Sequence, residues 1–147
     1  MPHITAIIGK ICAGKTTHAK TLPGILLSSD DLMLPLFGQC CELISKNKPL
    51  VEDYLITLAA QLLEQNINVV LDWGFWTAED RARLTATGLP VQWHYVCVDE
   101  QQRSEQIACR NAEIERGLRA YVVHEGLVQR CNELFEEPEE INGLTRI

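Results

Sequence analysis

The sequence predicts an α/β fold in which a parallel sheet carries helices on both faces. Short, nearly continuous apolar runs alternate along the chain with longer segments of helical periodicity. Such runs are typical of parallel strands that are covered on both sides, and their alternation with helices implies right-handed crossovers. A complete glycine-rich phosphate-binding motif also stands between the first apolar run and the first helical segment, which is the structural context that such a motif needs.

Composition and charge indicate one soluble domain. The 147 residues, 46% hydrophobic and 22% charged, suit a single domain spanning 1–147. The net charge of -7 and the pI of about 5.0 argue against a protein that mainly grips polyanions. The six cysteines form no CxxC pair, and the chain shows neither a signal peptide nor a membrane-length apolar run. We therefore expect a reduced, cytoplasmic protein.

Five runs have the length and the β-branched or aromatic content of strands. They are Ile4–Ile8, Gly24–Ser28, Asn68–Trp73, Val91–Val98 and a short edge strand, Leu144–Ile147.

Five helical segments lie between these strands. They are Lys15–Leu22, Leu50–Gln65, Thr77–Thr87, Asp99–Arg116 and Tyr121–Glu136. The second has one apolar face, formed at three- and four-residue steps by Val51, Leu55, Leu58 and Leu62. The third begins with a capping sequence, Thr77-Ala78-Glu79-Asp80.

The segment from Gly9 to Thr16 matches the pattern GxxxxGK[ST] at every required position. Its glycines let the backbone curl so that successive N–H groups point at one anion. Lys15 supplies a cation for the β- and γ-phosphates, and Thr16 supplies a hydroxyl ligand for Mg²⁺. The predicted nucleotide-binding residues are Gly9, Lys10, Cys12, Ala13, Gly14, Lys15, Thr16 and Thr17.

The nucleotide is predicted to be ATP because the guanine-reading motifs do not fit. Asp72-Trp73-Gly74 has the wrong spacing for a DxxG switch, and Asn47-Lys48-Pro49-Leu50 lacks the final Asp of NKxD.

Acidic side chains follow two of the predicted strands. Asp30 and Asp31 come after the second strand, and Asp72 closes the third. The carboxyl ends of parallel strands share one rim, where ligands bind. One acid can hold Mg²⁺ while another accepts a proton from an attacking hydroxyl. The alternative for the Asp30-Asp31 pair is simple capping of a helix that follows.

Two further segments leave alternatives open. Trp73, Phe75 and Trp76 either wall an acceptor pocket or pack between sheet and helices. A cluster of arginines either closes over ATP, where such groups are worth about 10³–10⁵ in rate, or forms a solvated helix face. These arginines are Arg103, Arg110, Arg116 and Arg119.

Together these motifs resemble the P-loop kinase group that contains polynucleotide 5′-hydroxyl kinase, chloramphenicol phosphotransferase and zeta toxins. The resemblance covers nearly the whole chain. It rests on the Gly9–Thr16 loop, Ser29-Asp30-Asp31, Asp72, Arg110-Asn111 and Arg116-Gly117. Val70–Thr77 and Phe135–Pro138 are similar to a bacterial subfamily described as ATP-binding proteins or predicted kinases.

The resemblance implies a P-loop NTPase fold with strand order 2-3-1-4-5 and a small lid at about 109–122. It implies Asp30 as general base, Lys15 as the ATP contact, and Arg110 and Arg116 as lid arginines. The expected metal ligands are Thr16, Asp31 and Asp72.

One departure bears on the acceptor. Polynucleotide kinase carries an arginine just before its paired aspartates, where this chain has Ser29. We therefore expect an ATP- and Mg²⁺-dependent kinase that acts on a hydroxyl of a small molecule. The alternatives are a polynucleotide or nucleoside 5′-hydroxyl kinase and an ATP-binding regulatory protein without catalysis.

Overall fold

The structure, a computed structural model, describes residues 1–10, 15–38, 40–97, 101, 104–109 and 125–147. These residues form a five-stranded, all-parallel sheet in the order β2-β3-β1-β4-β5, which confirms the predicted fold class and strand order. The strands are β1 (Ile4–Ile8), β2 (Ile25–Leu27), β3 (Val69–Gly74), β4 (Val91–Tyr95) and β5 (Thr145–Arg146).

Helices connect the strands. They are α1 (Lys15–Ala19), α2 (Ser29–Phe37), α3 (Cys41–Glu64), α4 (Ala78–Thr85) and α5 (Glu125–Leu134). Residues 104–109 are also helical, in agreement with the segment predicted from Asp99. The remainder of the predicted lid, 110–122, lies outside the residues that the structure describes.

The central strand β1 is buried along its whole length, and its residues face two apolar layers in alternation. Ile4, Ala6 and Ile8 belong to the larger core, where Val51 and Leu55 of α3 and Leu84 of α4 also pack. Ile7 faces the smaller core beside Ala19 of α1. Helices therefore cover both faces of the sheet, as the sequence predicts.

Helix α3 departs from the sequence prediction at its start. It begins at Cys41 and continues through Pro49, whereas the prediction began it at Leu50. Proline inside a helix removes one hydrogen bond and crowds the preceding turn, so it normally marks a boundary. Val51 and Leu55 are nevertheless buried as predicted, at 8% and 6% exposure. Burial of this face stabilises the helix in spite of the proline.

Helix α4 begins as the sequence predicts. The hydroxyl of Thr77 accepts a hydrogen bond from the Asp80 backbone N–H at 3.1 Å, which is the bond expected of an N-cap. Among the described helices, none is both long and apolar enough to cross a membrane.

Candidate active site

The described part of the glycine-rich loop is held against the end of β3. The Gly9 N–H donates to the Gly74 carbonyl at 3.1 Å. A Cβ atom at Gly9 would lie 2.9 Å from Lys15 Cγ and 3.2 Å from the Val96 carbonyl oxygen, so any larger residue would have to displace these neighbours. The Lys15 ammonium reaches back and donates to the Lys10 carbonyl at 2.9 Å. Cys12, Ala13 and Gly14 lie outside the described residues.

A side-chain hydrogen bond in the site joins α1 to β3. The Thr16 hydroxyl donates to Oδ2 of Asp72 at 2.9 Å, and Asp72 is only 5% exposed. Asp72 pairs with Ile7 in the register of β1 and β3, so it lies at the carboxyl end of the sheet beside the loop. The sequence placed Thr16 and Asp72 on one rim, and here they are in direct contact.

Asp30 and Asp31 stand in the first turn of α2 and are exposed to solvent. Ser28 occupies the N-cap position, so the interpretation of these aspartates as capping residues is wrong. Leu27 pairs with Leu71, which brings the start of α2 to the same rim as Asp72. Acidic side chains at this helix start also interact favourably with the helix dipole.

A cavity of about 240 Å³ opens beside this helix start. The Asp31 carboxylate is the charged group in its lining, and most of the other lining residues are leucines. The lining consists of Leu26, Leu27, Ser28, Asp31, Leu32, Tyr54 and Leu55.

The three aromatic residues after Asp72 were predicted either to line an acceptor pocket or to pack in the core, and they differ in which of these they do. Trp73 and Phe75 are buried, stack at a ring distance of 5.0 Å and belong to the main core. Phe75 also meets Trp93 edge to face at 5.2 Å. Trp76 is half-buried, with the Lys48 ammonium 5.3 Å from its ring centroid. Packing therefore accounts for Trp73 and Phe75, and Trp76 is the aromatic that retains solvent access.

The backbone at the end of β3 adopts an uncommon conformation. The pairing register with β1 shifts between Ile7 and Ile8, so Trp73 is an extra residue in the ladder. Gly74 has φ 86° and Phe75 has φ 45°. A left-handed conformation costs energy for any residue with a Cβ atom, and for Phe75 the surrounding contacts must offset it.

Sequence reasoning missed Arg81, which supplies such contacts. Its side chain is 1% exposed, and Nη1 donates to the carbonyls of Phe75 at 2.8 Å and Trp76 at 3.3 Å. Nε forms an ion pair with Glu140. One signal was available in the sequence, because Arg81 precedes the buried Leu84 by three residues and so shares its helix face.

The segment that follows α5 also contacts the phosphate-binding loop and the turn after β3. The Glu136 N–H donates to the Trp76 carbonyl at 2.7 Å, and the Lys10 ammonium lies 5.7 Å from the Phe135 ring centroid. The Tyr95 hydroxyl donates to Glu137 at 2.9 Å. Burial, together with this hydrogen bond, raises the pKa of Tyr95 above its ordinary value of 10.0. Tyr95 therefore remains a neutral donor at physiological pH.

The proposed lid residues Arg110 and Arg116 lie outside the residues that the structure describes. The described part of the site therefore consists of the loop, the ends of β2 and β3, and the segment after α5.

The sequence from 4 to 138 matches the family AAA_33, described as an AAA domain. The chain belongs to this family. No curated protein matches the sequence.

Solved structures share the fold of this AAA domain at low sequence identity. A gluconokinase from Sinorhizobium meliloti 1021 is 15% identical with a TM-score of 0.66, over 99% of this chain and 82% of that chain. Kti12 from Chaetomium thermophilum, in complex with ADP-AlF3, is 17% identical with a TM-score of 0.72, over 98% and 88%. A chain of the Pnkp1/Rnl/Hen1 RNA repair complex is 14% identical with a TM-score of 0.69, over 92% of this chain and 46% of its own length. The AAA domain therefore has the fold of the P-loop kinase group that its sequence resembles.

Proposed function

We propose that the protein is an ATP-dependent kinase that transfers the γ-phosphoryl group to a hydroxyl of a small molecule. The observation that carries the proposal is the 2.9 Å hydrogen bond between Thr16 and Asp72, which joins the glycine-rich loop to the end of β3. The family match and the kinase-like fold support a nucleotide-binding phosphotransferase.

ATP is the proposed phosphoryl donor. Its phosphates would lie in the curl of the Gly9–Thr16 loop, where backbone N–H groups and the Lys15 ammonium neutralise their charge. Lys15 already points back toward the start of this loop through its bond to the Lys10 carbonyl. The roles of Cys12, Ala13, Gly14 and Thr17 in this loop follow from the motif alone.

The residues at the Thr16–Asp72 contact fit a magnesium ion. Mg²⁺ prefers oxygen ligands and is commonly held by one or two carboxylates, and here a hydroxyl and a carboxylate oxygen lie within 2.9 Å of each other. We assign Thr16, Asp72 and Asp31 as its ligands, since Asp31 stands at the start of α2 on the same rim. When bound, the ion neutralises charge on the β- and γ-phosphates.

Asp30 is the proposed general base. It would take the proton from the acceptor hydroxyl as that oxygen bonds to the γ-phosphorus and the bond to ADP breaks. Its exposed place in the first turn of α2, on the rim shared with Asp72, supports this role. Arg110 and Arg116 would neutralise the charge on the transferred group, as the family resemblance implies.

The cavity beside Asp31 supports a small and largely apolar acceptor. Its volume of about 240 Å³ is below the roughly 300–1,000 Å³ of pockets for drug-sized ligands. Leucines dominate its lining, and the charge there is that of Asp31. A pocket of this size and lining would suit a small acceptor bound next to the start of α2.

The test combines nucleotide binding with phosphoryl transfer in matched variants. Wild type should gain thermal stability from ATP with Mg²⁺, and Lys15→Ala should lose most of that gain. Asp30→Asn should still bind ATP but transfer phosphate about 10²–10⁴-fold more slowly. Asp31→Asn is the neighbouring control for charge, and it should change the Mg²⁺ requirement more than the rate at saturating Mg²⁺.

The acceptor panel separates the alternatives. It should include small alcohols, amino alcohols, sugars, nucleosides and a 5′-hydroxyl oligonucleotide, each incubated with labelled ATP. Transfer to the oligonucleotide alone would replace the small-molecule acceptor with a nucleic-acid one. ATP binding without transfer to any member would favour a regulatory protein, and wild-type turnover in Asp30→Asn would remove Asp30 as the base.

A further inference from the structure

We propose that Arg81, held by Glu140, is a positioning residue that fixes the turn against which the phosphate-binding loop begins. The turn consists of Gly74, Phe75 and Trp76, and it follows Asp72 directly. The functional part of this inference rests on the proposed kinase activity, whereas the structural part can be measured without nucleotide.

The first step is the burial of the Arg81 guanidinium. A charge that is only 1% exposed is costly unless it is paired and hydrogen-bonded. Arg81 meets that requirement with the carbonyls of Phe75 and Trp76 and with the Glu140 carboxylate. Because the guanidinium donates hydrogen bonds to two carbonyls of the turn, the position of the side chain and the conformation of the turn depend on each other.

The second step is the strain in the turn. Phe75 is held at φ 45°, a conformation that a non-glycine residue keeps only when its surroundings impose it. The Arg81 guanidinium binds the carbonyl of this same residue at 2.8 Å. The Trp76 carbonyl, one residue later, also accepts from the Glu136 N–H at 2.7 Å. The turn is therefore held from two sides.

The third step links the turn to the loop. The Gly74 carbonyl accepts the Gly9 N–H at 3.1 Å, and a Cβ atom on Gly74 would lie only 3.2 Å from the Gly9 carbonyl oxygen. A Cβ atom on Gly9 would in turn lie 2.9 Å from Cγ of Lys15 and would crowd that side chain. Because these backbones are in close contact, a shift of the turn has to move the first residue of the phosphate-binding loop.

The fourth step is the anchor at Glu140. Burial acts to raise the pKa of Glu140, but the hydrogen bond and charge of Arg81 outweigh it and lower the pKa below 4.5. Glu140 therefore stays ionised at neutral pH. Its side chain is 43% exposed, so a substitution there weakens the anchor without opening the core.

The structural experiment compares amide hydrogen exchange in Arg81→Lys, Glu140→Gln and the control Arg83→Lys. Arg83 lies on the same helix but pairs with Glu52 and Asp53 on α3. We expect exchange at the Gly9 amide to rise on the order of tenfold in the first two variants. The reference is the Ile4 amide of β1, which donates to the Pro90 carbonyl and should not change. Arg83→Lys should leave the ratio between the two amides unaltered.

The kinetic experiment distinguishes positioning from a general loss of stability. At a temperature far below unfolding, KM for ATP should rise on the order of tenfold in Glu140→Gln and Arg81→Lys and stay constant in Arg83→Lys. Arg81→Met, which loses the charge, should be worse than Arg81→Lys. If Arg81 and Glu140 have only a structural role, their substitution should lower Tm while KM for ATP stays unchanged.

The two experiments fail separately. If the wild type binds no ATP but the Gly9 amide responds as expected, the kinase proposal is wrong and the positioning contact stands. If ATP binds and is used but the Gly9 amide and KM are both unchanged, Arg81 does not position the loop. Glu140→Gln decides the matter if Arg81→Lys fails to fold, because Glu140 lies at the surface.

Discussion

Among single residues, two histidines connect the helix of the phosphate-binding loop to the sheet. Nε2 of His18 lies 2.9 Å from Nδ1 of His94, so one nitrogen donates and the other accepts. Burial lowers the pKa of His94 from 6.5, and the charges of His18 and His3 lower it further. If both rings were protonated, both nitrogens would carry a hydrogen and the bond would be lost.

This pair predicts a loss of stability in mildly acidic solution. Since the pKa of His94 is lower in the folded state, the unfolded chain binds more protons as pH falls below 6.5. The contribution of His94 is therefore complete above pH 6.5 and lost as pH falls through its folded pKa. Urea unfolding across this range should give a shallower pH slope for His94→Gln than for wild type. Equal slopes would show that His94 is not the titrating group.

The role of Arg81 could not be predicted from single residues of the sequence. Roles for Lys15, Thr16 and Asp72 could be proposed from the sequence because each stands in a motif or at a strand end. The role of Arg81 depends on Glu140, which is 59 positions away along the chain. Its face on α4 predicts burial, but no local pattern indicates which carboxylate or carbonyl will meet it.

Among the elements, α2 and α4 begin in different ways, and the difference is measurable. Thr77 caps α4 through its hydroxyl, whereas the Ser28 side chain makes no capping bond at the start of α2. Loss of an N-cap bond costs about 1 kcal/mol. Thr77→Ala should therefore lower the free energy of unfolding by about that amount, while Ser28→Ala should have little effect. Chemical denaturation of both variants checks this, and equal losses would contradict the assigned caps.

Elements with strong local signals were predicted well, and those that depend on tertiary packing were not. The parallel α/β sheet followed from the alternation of apolar runs and helical segments, and its strand order was implied by the resemblance to P-loop kinases. The first turns of α3 were missed because Pro49 ordinarily ends a helix. The aromatic residues after Asp72 could not be assigned in advance, since both a pocket and a core contain aromatics. The burial of Trp73 and Phe75 depends on Trp93, from another strand.

At the scale of the whole molecule, the C-terminal residues contribute to stability in two separable ways. Ile141 and Leu144 pack against the main core, and β5 extends the sheet beside β4. Phe135, Glu137 and Glu140 instead contact the loop, Tyr95 and Arg81. Two truncations separate the contributions, because removal of 141–147 affects only the first group and removal of 135–147 affects both.

The shorter truncation should cost on the order of 2 kcal/mol through lost apolar burial and leave a folded protein. The longer one should cost more, because it also removes the carboxylate that pairs with Arg81 and the Glu137 partner of the Tyr95 hydroxyl. A domain of ordinary stability, about 5–15 kcal/mol, would then be close to unfolding. Adding Arg81→Met to the longer truncation removes the uncompensated charge and should restore part of the loss, although the same substitution destabilises the intact chain. Urea unfolding of the four proteins in this cycle measures the coupling, and additive effects would mean that the C-terminal residues act only as a cover for the core.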